Sequence, residues 1–248
     1  MNLPRLLPPL LSIAVLIGLW HILSLTLQSP VLPAPLQVWN TLTGEIRSGQ
    51  LQHHLGATLF RLVISFVIAM SLGSIIGIVL GMHEALNRVF DAWVTIALNV
   101  PALVTIILCY VWFGLNETAA VGAVVINKLP NVVVTFREGG RTLDRDLMDM
   151  AKAYRFGWLK TLRHVIWPQL FPFAIAAART GIALIWKIIL IVEIMGRSDG
   201  MGYQLHLYFQ MFNVSGILAY TCAFIVVMQL TEYLLLKPLD ARAKRWRK

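Results

Sequence analysis

Among the ionisable side chains inside long apolar runs of this sequence are Arg61, Lys128, Arg179, Lys187 and Glu193. A charge at the centre of an inserting apolar helix costs roughly 2.5–3.5 kcal/mol, so such groups are kept for ion pairing or for contact with a polar solute. Lys187 and Arg179 are candidates to line a pathway that favours an anionic solute. Internal salt bridging is the alternative for both. Lys187 lies well within its run, and Glu193 stands six residues on, near the end of it. Six residues turn an α-helix through roughly 600°, so the two do not share a face. Lys128, in the preceding run, is the candidate partner for Glu193. Arg61 and Arg179 lie closer to the ends of their runs and are expected to snorkel. Lys128, Arg179, Lys187 and Glu193 together form the candidate pathway or gate.

Covalent and metal chemistry find no footing. The histidines, at 21, 53, 54, 83, 164 and 206, have no metal-ligand spacing. His53 and His54, adjacent on a helix, point in different directions, so no metal site is expected. Cys109 and Cys222 both lie in apolar runs and make no disulfide framework. No HExxH or Ser/His constellation appears, and no Gly-Lys dipeptide that could belong to a phosphate-binding loop. No catalytic residue and no cofactor is expected in this chain.

The elements that must position these charges are membrane helices. Of 248 residues, 58% are hydrophobic and 13% charged, against about half and a quarter in soluble domains. A span needs about 20 mostly apolar residues. Candidates are Leu7–Leu27, Leu55–Met82, Phe90–Trp112, Thr118–Phe136, Phe171–Met195 and Val214–Leu236. The first lacks a small-residue cleavage site and reads as a retained helix. The third carries Asn99 and Pro101, where a kink or break is expected. The fourth carries Asn127, Lys128 and Pro130. With both termini on the cytoplasmic side, fifteen of the 21 lysines and arginines fall in inner segments, and only Arg47 and Arg197 in outer ones. The net charge of +9 thus belongs to a membrane face, with lipid rather than nucleic acid as its partner. The expected fold is all-α, a polytopic membrane protein of about six transmembrane helices. Residues 1–54 form the first span and an outer segment. Residues 55–248 form the core, including a long cytoplasmic loop, 137–167.

Two segments outside the spans carry helical patterns. In the outer one, Leu36, Val38, Trp39, Leu42 and Ile46 fit one helical face entered through Pro33 and Pro35. An ordinary loop is the alternative. In the inner one, Leu143, Leu147, Met150, Ala151 and Tyr154 recur at helical spacing, Gly157 offers a turn, and Trp158, Leu162 and Val165 make a second stripe. Pro168 is expected to stop that second helix before the next span. Two short helices would present an apolar knob ringed by basic residues, suited to a groove on a soluble partner or to anionic headgroups. Within the second span, Gly73, Gly77 and Gly81, preceded by Ala69, form a small-residue stripe at spacing four. It allows close helix approach, inside the chain or between subunits.

The stretch from Asp149-Met150-Ala151 through Ala153, Tyr154, Arg155 and Gly157 to Val165-Ile166-Trp167-Pro168 resembles the EAA loop of ABC importer permeases. Leu32-Pro33-Ala34-Pro35, Asn99-Val100-Pro101, Trp112-Phe113-Gly114, and Glu193 followed by Gly200-Met201-Gly202-Tyr203 are similar to patches of the nitrate/sulfonate/taurine branch. The resemblance runs from about residue 30 to the end. It implies two permease copies in a bacterial inner membrane, a cytoplasmic ATPase dimer that binds ATP and Mg, and an extracytoplasmic substrate-binding protein. It also implies that Asp149–Gly157 docks in the ATPase and that Glu193 lies near an outer gate. The chain departs from the pattern in Asp149 for Glu, Arg155 at the expected glycine with Gly157 two residues later, and Trp167 for Leu. The displaced glycine is expected to move the turn. The implied solute is small, an anion such as a sulfonate, taurine, nitrate or bicarbonate. A vitamin precursor is the alternative, and a gradient-driven secondary transporter is the alternative mechanism.

Overall fold

The computed structural model describes residues 3–238, and every regular element among them is helical. In chain order these are α1 (Leu3–Leu27), α2 (Pro35–Arg47), α3 (Gln50–Met82), α4 (Glu84–Asn99), α5 (Ala102–Phe113), α6 (Glu117–Arg141), α7 (Arg145–Ala153), α8 (Trp158–Thr161), α9 (Trp167–Gly196), α10 (Met201–Gln210) and α11 (Val214–Thr231). The tail cations Arg242, Lys244, Arg245, Arg247 and Lys248 lie outside the described residues.

Four helical rods are long and apolar enough to cross a membrane: α3, α6, the rod from Trp158 to Gly196, and Val214–Leu234. The expected third span is two helices, α4 and α5, bent by 95° at Val100-Pro101. Proline cannot donate to the preceding turn, and Asn99 turns its amide back onto the Thr95 carbonyl at 2.7 Å. Counted as one span, the pair brings the number to five. α1, apolar over Leu11–Leu27, is the further candidate.

α6 continues unbroken through Asn127, Lys128 and Pro130 because it is the most enclosed of the rods. Asn127 and Thr135 return their side chains to carbonyls of their own helix, at 2.9 Å each, and Lys128, Pro130, Val132 and Phe136 are buried. α3 lies directly against it, and the small-residue stripe is the reason. An added Cβ at Gly77 would stand 2.5 Å from the Val133 carbonyl oxygen. At Gly81 it would stand 2.5 Å from that of Arg137. The stripe thus closes a contact within the chain.

α2 is a helix, not an ordinary loop, but its apolar residues do not all share one environment. Val38 is buried, and Leu42 packs on the cluster around Tyr208 and Tyr220, while Leu36 and Trp39 are exposed. What anchors α2 is polar: Tyr208 and Tyr220 donate to the two oxygens of Glu45 at 2.7 and 3.0 Å.

The long inner loop is shorter than its expected bounds, 137–167. α6 extends to Arg141, and helix resumes at Trp158. Pro168 does not stop that helix. A π-turn over Leu162–Ile166 precedes it, with the Trp167 N–H on the Leu162 carbonyl. Widening the turn accommodates the proline ring, and the Gln169 side chain occupies the Val165 carbonyl at 2.8 Å. α8 is therefore the first turn of the α9 rod, and α7 is the one separate short helix of the loop.

Candidate functional site

Two places in the bundle collect the residues of interest, and they lie at opposite ends. At the first, the start of α3, the start of α6 and the end of α9 come together. Arg61 is 2% exposed and does not snorkel. Its Nε and Nη2 donate to the two oxygens of Glu117 at 2.8 and 3.0 Å, a bidentate pair. Its Nη1 donates to Glu193 Oε1 at 2.7 Å and to the Asp199 backbone carbonyl at 3.1 Å. Its Nη2 also reaches the Asp199 carboxylate. Arg197 closes the ring onto Glu117 Oε2 at 2.9 Å. Two guanidinium groups face three carboxylates, a formal charge of −1.

Glu193 is fully buried, and its partner is Arg61, not Lys128. The remaining lone pairs are met by Thr58 Oγ1 at 2.9 Å and by the Gly202 N–H at 2.8 Å. This explains the glycines that follow Glu193. The first amides of α10 point into the cluster: Gly200 N–H to His54 Nδ1 at 3.1 Å, Met201 N–H to Thr58 Oγ1 at 2.8 Å, and Gly202 N–H to Glu193. The positive end of α10 thereby meets buried acceptors. Gly200 has φ +108, and an added Cβ at Gly200 or Gly202 would overlap Glu193 or the Leu190 carbonyl. Asp199, in the loop before α10, titrates below its ordinary value. Burial pushes it up, but the bond from Arg61 and the charges of Arg61 and Arg197 outweigh that.

At the opposite end stands α7. Asp144 caps it, accepting from the Asp146 and Leu147 N–H groups. Its far end closes with paired reverse bonds, Phe156 N–H to the Ala151 carbonyl at 2.8 Å and Arg155 N–H to that of Lys152 at 2.9 Å. This Schellman closure requires a left-handed residue, usually glycine. Arg155 takes that role, at φ +51. The turn has not moved to Gly157, which has an ordinary φ of −64. Ala151 is buried against the bundle, while Leu147, Met150, Tyr154, Trp158 and Leu159 are exposed, Leu159 to 79%. Among the described residues Asp149 pairs only with Lys152, at 2.9 Å on the surface.

The sequence pattern of the family described as binding-protein-dependent transport system inner membrane component matches residues 69–242. The chain belongs to that family. A permease protein described as a putative aliphatic sulfonates transport permease, SsuC of Bacillus subtilis, is 27% identical over 240 residues, covering 96% of this chain and 87% of the relative. Its Escherichia coli counterpart is 30% identical over 201 residues, covering 80% and 76%. The inward-facing MetNI methionine ABC transporter has the same fold, with a TM-score of 0.68 at 16% identity over 82% of this chain and 98% of that one.

In this inner-membrane component the other predicted residues stay apart. Lys128 is 1% exposed, and no carboxylate pairs with it among the described residues. Its stem lies against α9, where an added Cβ at Gly181 would stand 2.9 Å from Cε. Arg179 bonds to Glu232, the residue that follows α11, at 3.3 Å. Lys187 is exposed, on a face of α9 with Thr180, Ala183 and Leu184. Among the described residues no cluster of metal-ligating side chains forms. Sequence reasoning missed Glu117, Asp199 and Thr58. Glu117 sits at the first position of a helix and Thr58 in an apolar run, and neither is conspicuous without its partners.

Proposed function

We infer that two copies of this permease build an alternating-access pathway driven by a separate cytoplasmic ATPase dimer, which binds ATP and Mg. An extracytoplasmic binding protein delivers the solute. The observation that carries this reading is the α7–α8 projection. Five large apolar side chains stand exposed on it beside Arg155 and Lys152. A surface of that kind is kept for a partner. Asp149, Met150, Ala151, Ala153, Tyr154, Arg155 and Gly157 form the docking segment, and the ATPase's closure levers the α9 rod because α8 is continuous with it. This end is cytoplasmic, with both termini, and the Arg61 cluster is extracytoplasmic.

The solute is a small anion. Lys187 supports this, since a lysine on an exposed helix face is costly against lipid and suits an aqueous pathway or a second subunit. The relatives' names point to an organic sulfonate. A vitamin precursor is the competing cargo.

Deleting Asp149–Gly157 is expected to abolish co-purification of the ATPase and leave membrane insertion intact. Retained co-purification would overturn the docking role. A cysteine introduced at Asp149 should resist an impermeant thiol reagent in intact cells. Uptake of a sulfonate by Lys187→Gln should fall, and normal uptake with normal assembly would remove Lys187 from the pathway.

A further inference from the structure

The three bonds that seat α10 at the Arg61 end differ in one respect: only one of the acceptors is lost on taking up a proton. Thr58 Oγ1, which receives Met201 N–H at 2.8 Å, does not titrate. Glu193, which receives Gly202 N–H at 2.8 Å, keeps an acceptor oxygen whether or not its carboxyl carries a proton. The third acceptor is His54 Nδ1, 3.1 Å from the Gly200 nitrogen. A ring nitrogen accepts only while it is bare, so this bond requires neutral His54 with its proton on Nε2.

His54 is 5% exposed, one turn before Thr58 on α3. The ring of Tyr203 on α10 lies 5.9 Å from its own, and that of Tyr220 on α11 lies 6.3 Å away. His53 stands beside it at 5.2 Å. Asp199, in the loop before α10, and Glu45 of α2 are carboxylates whose charge reaches it. Glu193 of α9 and Arg61 lie beyond Thr58, bonded to each other. A proton on Nδ1 would point at the Gly200 N–H, leaving two donors face to face. Turning the ring away would break the same bond.

We propose that His54 is a proton-operated latch: neutral, it holds the start of α10 on α3, and protonated, it releases it. Asp199 directly precedes Gly200 and gives its backbone carbonyl to Arg61 at 3.1 Å. Release at Gly200 therefore loosens the closure of this end of the bundle. That the latch reads extracytoplasmic pH rests on the orientation given above; the latch itself does not. Linkage fixes its size. A proton taken up only by the released form favours release by up to about tenfold per pH unit below the ordinary imidazole value of ~6.5.

The test uses the full chain with its ATPase in lipid nanodiscs, where both faces meet the same pH and orientation has no influence. Deuterium uptake by the amides of residues 200–204 is followed at about pH 7.5 and about pH 5.5, either side of the histidine value. Labelling times are scaled for the intrinsic pH dependence of exchange. Protection of these amides should fall about tenfold on acidification, while that of α6 stays constant. His54→Asn supplies an oxygen acceptor that does not titrate. It should keep the protection and lose the acid response. His54→Leu should be poorly protected at both pH values, and His53→Gln should respond as the unsubstituted protein does. Thermal midpoints report that each variant is folded, and the response of the unsubstituted protein is a test without any of them. Constant protection in the unsubstituted protein overturns the proposal. So does an undiminished acid response in His54→Asn, or full neutral-pH protection in His54→Leu.

Discussion

The Arg61 end and the α7 end of this permease solve opposite problems with the same materials. At the Arg61 end, three carboxylates and two guanidinium groups meet the leading amides of α10, and Arg61 and Glu193 are sealed from solvent. Their positions are over-determined, since each group has partners from at least two elements. At the α7 end only Ala151 is buried, the ion pair of Asp149 is a surface one, and a left-handed arginine holds the turn. Buried charges must be completed within the chain because leaving them unpaired is so costly. An apolar projection can be left open only when a partner completes it.

That contrast is broken most directly at Arg61. Replacing it with Met leaves Glu193 buried and unpaired, and a loss of about 3–5 kcal/mol is expected. It reads out as a large fall in the thermal midpoint of the purified protein. Removing the exposed Arg88–Glu84 pair should cost under about 1 kcal/mol. If the two substitutions behaved alike, the Arg61 cluster would not be what holds this end. Next comes Gly202→Ala, which drives a methyl group into the Leu190 carbonyl and the Glu193 stem. About 1–3 kcal/mol should be lost, with ATPase co-purification unchanged, since the far end is untouched.

The pH dependence sharpens the comparison further. Asp199 has its carboxyl held below the usual value, so its charged form stabilises the fold. That contribution is fully present above the unfolded-state value of ~3.9 and is lost as pH falls through the lower folded-state value. The midpoint difference between the unsubstituted protein and Asp199→Asn should stay constant from neutral pH to about pH 4 and close below it. A difference that closes already between pH 7 and 5 would contradict the assignment. The smallest effect is expected at Arg155. Changing it to Gly relieves a left-handed side chain and should stabilise the α7 turn by about 1 kcal/mol. Slower amide exchange at Phe156 would show this. If ATPase binding weakened at the same time, the arginine side chain would be part of the dock.

The four long apolar rods were legible because hydrocarbon imposes one requirement on about 20 consecutive residues, and composition records it. The break at Asn99-Pro101 was legible too, because proline acts on its own turn. The pairing of Glu193 was not. Lys128 looked suitable by span and charge, but α6 presents Lys128 to Gly181 and brings Glu117 to Arg61. Nothing in a linear pattern ranks partners 132 or 56 residues apart. The turn after α7 was misread for a related reason. Glycine is the usual sign of a left-handed residue, and here the helix ending forces Arg155 into that conformation.

The amino-acid sequence by itself determined the membrane-helix class, the family pattern, the broken third segment and the short helix between α6 and α9, all of which depend on periodicity or on one residue's covalent geometry. Only the tertiary structure decided which charge neutralises which, that Pro168 lies within a continuous rod, and that the small-residue stripe faces α6. Those outcomes depend on distances between helices remote in sequence. Such distances follow from how all the faces pack together, not from any segment alone.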